Sequence, residues 1–191
     1  MAMGIGKRLQ SLFSDDPMAA PARSVYQRIF DQARQPAFYA EHGVPDSLDG
    51  RFELLTLHTF LVLRRLRRGG EQATGLSQAL VDGLILDMDH CLREMGAGDL
   101  GVGKRVKTMA RGFYGRIAAY EAGLDGGDDM LGAALERNLY GTTHAAPAVA
   151  AVMAAYMRRE AAALDDQTLP DLVAGRVVFG PPPGPHGGDG T

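Results

Sequence analysis

Ten residues in mid-chain, GAGDLGVGKR (96–105), carry the spacing of two phosphate-binding loops at once. Gly96, Gly98 and Gly101 fit G-x-G-x-x-G, in which glycines let the backbone approach a dinucleotide pyrophosphate. Gly98, Gly103 and Lys104 fit the start of G-x-x-x-x-G-K-[ST], whose amides and lysine hold a nucleoside triphosphate. Both chemistries need a buried strand that delivers the chain to a tight turn, with amides converging at the N-terminus of the next helix. The preceding LDMDHCLREM has helical periodicity, no βαβ unit surrounds it, and Arg105 stands where a Ser or Thr hydroxyl would hold Mg²⁺. The stretch therefore reads as a structural helix–loop–helix corner. Gly96 or Gly98 ends one helix and Asp99 caps the next, with Gly101 and Gly103 completing the corner.

That corner opens a run of cations without an anion: Lys104, Arg105, Lys107, Arg111 and Arg116. Lys104, Lys107 and Arg111 fall at i, i+3 and i+7, on one helical face. Several sit in the first half of the helix, where the macrodipole disfavours positive charge. The stripe is thus a better candidate for contact with an anionic partner than the glycines are: RNA phosphate, lipid headgroups or acidic protein loops. A plain solvated face is the alternative. A second cluster, Arg64, Arg65, Arg67 and Arg68, closes another helix, where cations suit the dipole.

The histidines are His42, His58, His90, His144 and His186, and no two stand at i, i+4 on one helix. His58, among Leu and Phe, reads as a satisfied core histidine. Asp87 and Asp89 fall on different helical faces, and no Ser/His/Asp constellation follows from spacing. The sequence predicts no enzyme, no metal, no cofactor and no small-molecule substrate. A single cysteine, Cys91, excludes a disulfide framework and points to a reducing compartment; it is expected as a small buried hydrophobe.

The elements that must position these residues are helices. The chain has 191 residues, 46% hydrophobic and 23% charged, with a formal net charge of −3, so any basic surface is local. In residues 1–22, Ile5, Leu9, Leu12 and Phe13 form a short apolar stripe beside Lys7 and Arg8. This is read as a frayed terminus or a weak amphipathic membrane contact. Helical patterns follow over 22–34, 47–68, 75–96, 98–124, 128–141 and 146–164, with a short last element at 170–180. The 47–68 segment is apolar nearly all round and belongs at the centre of a bundle. PPPGPHGGDGT (181–191) is expected as a disordered tail. No run spans a membrane and no secretory leader is seen, which predicts a cytoplasmic protein. The fold expected is an all-α, single-domain bundle of about six or seven helices over 23–180, with flexible tails at both ends.

DGRFELLTLHTFLVLRRL, the long stretch from LSQALVDGLILDMDHCLREM through GAGDLGVGKRVKTMARGFYGRIAAYEAGL, and ERNLYG together resemble the ubiquinol–cytochrome c chaperone family. These are bacterial relatives of the mitochondrial assembly chaperones of the cytochrome bc1 complex. The similarity covers about residues 24–180, and the glycine corner is its most recognisable part. It implies an all-helical, non-enzymatic factor that binds newly made cytochrome b or another bc1 subunit. The ribosome and a weak contact on the cytoplasmic face of the inner membrane are further implied partners. The positions that carry over are Arg51, Phe52, Glu53 and His58 on the second long helix, and Asp87, Asp89, Arg93, Glu94, Asp99, Lys104, Arg105 and Lys107 around the corner. The resemblance assigns them no roles. Arg51, His58, Arg64, Arg65, Lys104, Arg105, Lys107 and Arg111 are expected to contact client or partner. Asp87, Asp89, Arg93 and Glu94 are expected to brace the corner. An RNA-binding module using the 104–116 face is the alternative.

Overall fold

The second long helix is the axle of the molecule. In the computed structural model, which describes residues 18–94, 99–143 and 145–184 (the side chains of 99 and 100 excepted), this helix, α3, runs Leu48–Arg67. Its start is fixed by Ser47, whose Oγ accepts the Gly50 N–H at 3.2 Å. Its end is fixed by Gly69–Gly70, with Gly70 in the left-handed region at φ +60. Every residue from Glu53 to Val62 is buried, so α3 presents no solvent face over that stretch. It packs against α1 (Ala19–Ala33), α4 (Thr74–Glu94), α5 (Asp99–Gly126) and α7 (Pro147–Asp165).

The remaining elements close around it. Pro36 ends α1 and opens the single turn α2 (Pro36–Ala40). A 3₁₀ turn, Gly70–Ala73, leads into α4. At Gly127, φ +109 turns the chain from α5 into α6 (Asp128–Asn138). These two helices lie so close that a Cβ on Gly123 would come within 2.8 Å of Leu131 Cα. Thr168 Oγ1 accepts the Asp171 N–H and opens the last turn, α8 (Leu169–Val173). The core joins Tyr26 and Ile29, Leu57 and Phe60, Leu80, Phe113 and Tyr120, Leu135 and Met157, all at 1% exposure or less. Each fully buried Leu, Ile or Phe contributes about 1.5–3 kcal/mol.

Among the described residues there is no strand, and the architecture is the all-helical bundle that the periodicities predict. No helix of the described residues is long and apolar enough to cross a membrane. The N-terminal stripe Ile5–Phe13 lies outside the described residues, as do Gly96, Gly98, His144 and His186.

The C-terminal boundary differs from expectation. The packed chain extends to Pro183, which is buried. His42 Nε2–H donates to the Pro183 carbonyl at 3.0 Å, the Gly180 N–H donates to Glu160 Oε2 at 2.8 Å, and Gln32 Nε2 donates to the Gly180 carbonyl at 2.8 Å. Gln167 brackets Val178 with a bond to its N–H and another from Nε2 to its carbonyl. Proline and glycine cannot form a core of their own, but here side chains from α1, α7 and the connectors after α2 and α7 supply the backbone partners.

Candidate functional site

The floor of the main groove starts from the first turn of α3. Leu48, 43% exposed, and Phe52 project on the side where α3 meets the first half of α5 and the end of α6. Met109 of α5, Leu92 at the end of α4 and Leu139 after α6 complete an apolar floor. The groove encloses about 860 Å³. A narrower apolar cleft continues beneath Phe52 toward Phe30, Leu55, Met88 and Cys91.

Its wall holds an ion pair that spacing alone does not reveal. Glu53, 7% exposed, receives a bidentate hydrogen-bonded pair from Arg116, with Arg116 Nε donating to Oε2 at 2.6 Å and Nη2 donating to Oε1. Gly112 leaves room for the guanidinium: a Cβ there would lie 2.7 Å from Arg116 Nη1. The Arg116 guanidinium also lies 5.6 Å from the centre of the Phe52 ring. Burial pushes the Glu53 carboxyl above its usual range, against the pull of Arg116. Arg116, less buried, is held above its own usual range by the Glu53 carboxylate. A lone Glu in an otherwise apolar helix was the available signal that a cation would come to meet it.

The rim is cationic. Lys104, Arg105, Lys107 and Arg111 are all exposed on α5, and no ion pair reaches any of them among the described residues. Lys104 and Arg105 line the groove, and so does Arg137 of α6. Next to Arg137, the buried Asn138 Nδ2 has no hydrogen-bond partner among the described residues. Arg137 and Asn138 belong to the ERNLYG stretch of the family resemblance but were not among the candidate contact residues; their place in the groove comes from where α6 ends. Of the predicted basic run, Arg116 stands apart, because it is turned inward onto Glu53.

Several other candidates are engaged within the fold. His58 has no exposed surface and is therefore no surface contact. Its Nδ1 lies 2.7 Å from the Leu54 carbonyl, which can only accept, so Nδ1 carries the proton. Nε2 then accepts the Tyr156 hydroxyl at 2.7 Å, and that hydroxyl oxygen accepts Gln32 Nε2 at 2.9 Å. Burial holds the His58 pKa down to about 4.

The arginine cluster at the end of α3 is likewise a clamp, not a free patch. Arg65 donates to the Leu164 and Gln167 carbonyls at 3.0 and 2.7 Å, which satisfies the end of α7. Arg64, with 11% of its side chain exposed, sits among Glu121, Asp125 and Asp165. Arg67 pairs with Glu121 and Arg68 with Asp165. These partners come from α5 and α7, too far along the chain for helical spacing to show them. Arg51 pairs with Asp46 at 2.7 Å, and this bond holds the Asp46 carboxyl below its usual range.

At the glycine corner, α4 runs as a helix to Glu94 and α5 begins at Asp99. Gly101 and Gly103 lie inside α5 and face open space, so they form no cradle of converging amides. Asp87 ties α4 to α1 by accepting the Tyr26 hydroxyl at 3.0 Å. Asp89 accepts Arg93 Nε at 2.6 Å one turn away, which holds its carboxyl below the usual range. Glu94 is exposed. Cys91, expected to be buried, is half-buried along the narrow cleft. Among the described residues no group of three or more His, Cys, Asp or Glu is placed to hold a metal ion.

Residues 40–179 match the family described as "Ubiquinol-cytochrome C chaperone". The chain is 27% identical over 161 residues to the ubiquinol-cytochrome-c reductase complex assembly factor 1 of Xenopus laevis, covering 84% of this chain and 80% of that one. It is 24% identical over 161 residues to the corresponding factor of Homo sapiens, where it spans 84% of this chain and 54% of the relative. Among solved structures, it is similar to the crystal structure of the Cbp3 homolog from Brucella abortus. There the identity is 37% and the TM-score 0.77, over 94% of this chain and 96% of that one.

Proposed function

Because the chain belongs to the ubiquinol-cytochrome C chaperone family, we propose that it is a non-enzymatic assembly chaperone of the cytochrome bc1 complex, which shelters an apolar segment of newly made cytochrome b in the groove between α3, α5 and α6. The observation that supports this reading is the apolar surface of Leu48, exposed, and of Phe52 and Met109, half-buried, in a groove of about 860 Å³ over the buried Leu92 and Leu139. Apolar surface recessed in a groove is the form that receives a partner's apolar side chains. Met109 adds an unbranched, adaptable side chain suited to a client that is not yet folded. The protein would act in the cytoplasm, at the inner face of the membrane into which cytochrome b is delivered.

Deletion of the chain, followed by quantification of assembled bc1 complex on native gels and of cytochrome b by its haem absorbance, tests the role. Loss of assembled complex, with cytochrome b recovered on the tagged chaperone, is the expected result. Normal complex levels with no enrichment of cytochrome b would refute it. A second reading, contact with ribosomal RNA, is favoured by the four exposed cations of α5 alone. Binding of RNA that weakens steeply with salt would support it.

A further inference from the structure

The groove has an apolar floor, and its unpaired charge is mostly positive, three cations against the exposed Asp49. Among its lining residues the carboxylates are Asp49 and Glu53, and Glu53 is already consumed by Arg116. Lys104, Arg105 and Arg137 remain, exposed and without an ion-pair partner among the described residues, in a chain whose net charge is −3. Asn138 adds a buried N–H donor without an acceptor. A groove meant only for aliphatic side chains gains nothing from this arrangement, since like charges around one rim repel each other and a buried donor without a partner is destabilising.

From these positions we infer that the occupant of the groove is an apolar peptide segment carrying an acidic side chain, whose carboxylate meets Lys104, Arg105 and Arg137 while its apolar side chains lie on Phe52, Leu48 and Met109. This rests on the chaperone reading above and names the chemistry of the segment that the groove selects. A peptide fits better than a lipid surface. A bilayer is a broad face that is read by protruding apolar side chains, whereas here Phe52 and Met109 are half-buried and line one groove between three helices together with the cations. The carboxylate supplies selectivity: an apolar segment without it still gains the floor but leaves the rim unpaired.

The test uses the full chain and two fluorescein-labelled helical peptides of about fifteen residues, built from Leu, Ala and Ser, that differ only in an Asp or an Asn at the centre. Fluorescence anisotropy at low and high salt gives the affinities. The Asp peptide is expected to bind about tenfold more tightly, equivalent to about 1.4 kcal/mol. That advantage should shrink with salt and vanish in a variant carrying Lys104→Gln, Arg105→Gln and Arg137→Gln, all exposed positions where the helical circular dichroism should not change. Equal binding of the two peptides overturns the inference and leaves the groove as a client site. Binding of neither peptide overturns the groove reading itself. Binding of phosphatidylglycerol-containing vesicles, but of neither peptide, assigns the rim to lipid and likewise overturns it.

Discussion

Substitution of His58 by Gln should flatten the acid side of the stability curve. His58 is wholly buried, flanked by Phe38, Tyr156 and Phe179 with ring centres 5.3–5.8 Å apart, and neutral with its proton on Nδ1. Protonation of Nε2 would displace the Tyr156 hydroxyl proton and place a charge in an aromatic cage. The folded-state pKa of about 4 therefore lies below the ordinary value of 6.5. Between those values the unfolded chain binds a proton that the native chain does not. Stability from this group is complete above the unfolded value and is lost as pH falls through 6.5 toward about 4. At about 1.4 kcal/mol per pH unit, the gap amounts to about 3 kcal/mol in full, of which about 2 kcal/mol falls between about pH 7 and pH 4.5. That is a large share of the roughly 5–15 kcal/mol that holds a typical domain together. Urea unfolding followed by circular dichroism across that range should show the wild type losing about 2 kcal/mol more than His58→Gln, whatever the variant's stability at neutral pH. Parallel curves, or an NMR titration of the His58 ring centred near 6.5, would refute the argument that this histidine is a sealed core group.

Three further outcomes test how the groove is held. Arg116→Met should cost about 3 kcal/mol, because it strands a carboxylate that is 7% exposed, and a double-mutant cycle with Glu53→Gln should return a coupling of about 1–3 kcal/mol in urea unfolding. Since burial raises the folded pKa of Glu53, its contribution is fully present below the usual carboxylate range and is lost as pH rises through the raised value. Glu53→Gln should therefore gain on the wild type as pH climbs from the usual carboxylate range to the raised value, and stay level beyond it. Gly50→Ala would bring a Cβ within 2.0 Å of the Pro45 carbonyl oxygen at the head of α3; thermal unfolding should show a loss of about 1–3 kcal/mol or more.

Most of the architecture was legible as periodicity. The stripes Val25–Ile29, Leu76–Leu80–Leu84 and Phe113–Tyr120 each bury as a helical face, because an amphipathic helix can hide its apolar side only against another element. The glycine corner could be rejected as a phosphate loop for the same reason: helical periodicity before it leaves no strand to aim the amides. The cations of α5 were legible as a run, but the sequence could not separate Arg116 from Lys104 and Arg105. That distinction depends on Glu53, 63 residues away, and on the space that Gly112 leaves.

The sequence by itself determined the helices, their order, the central place of α3 and the family resemblance, since these follow from local periodicity, caps and residue identity. Only the tertiary structure decided which charges are spent and which are free. It turned Arg64 and Arg65 into clamps on neighbouring helix ends, sealed His58 beneath Tyr156, tied the proline-rich segment down as far as Pro183, and left Lys104, Arg105 and Arg137 around an apolar floor. Partners for a charge are set by through-space distance between residues up to 102 positions apart, and no local pattern encodes that distance.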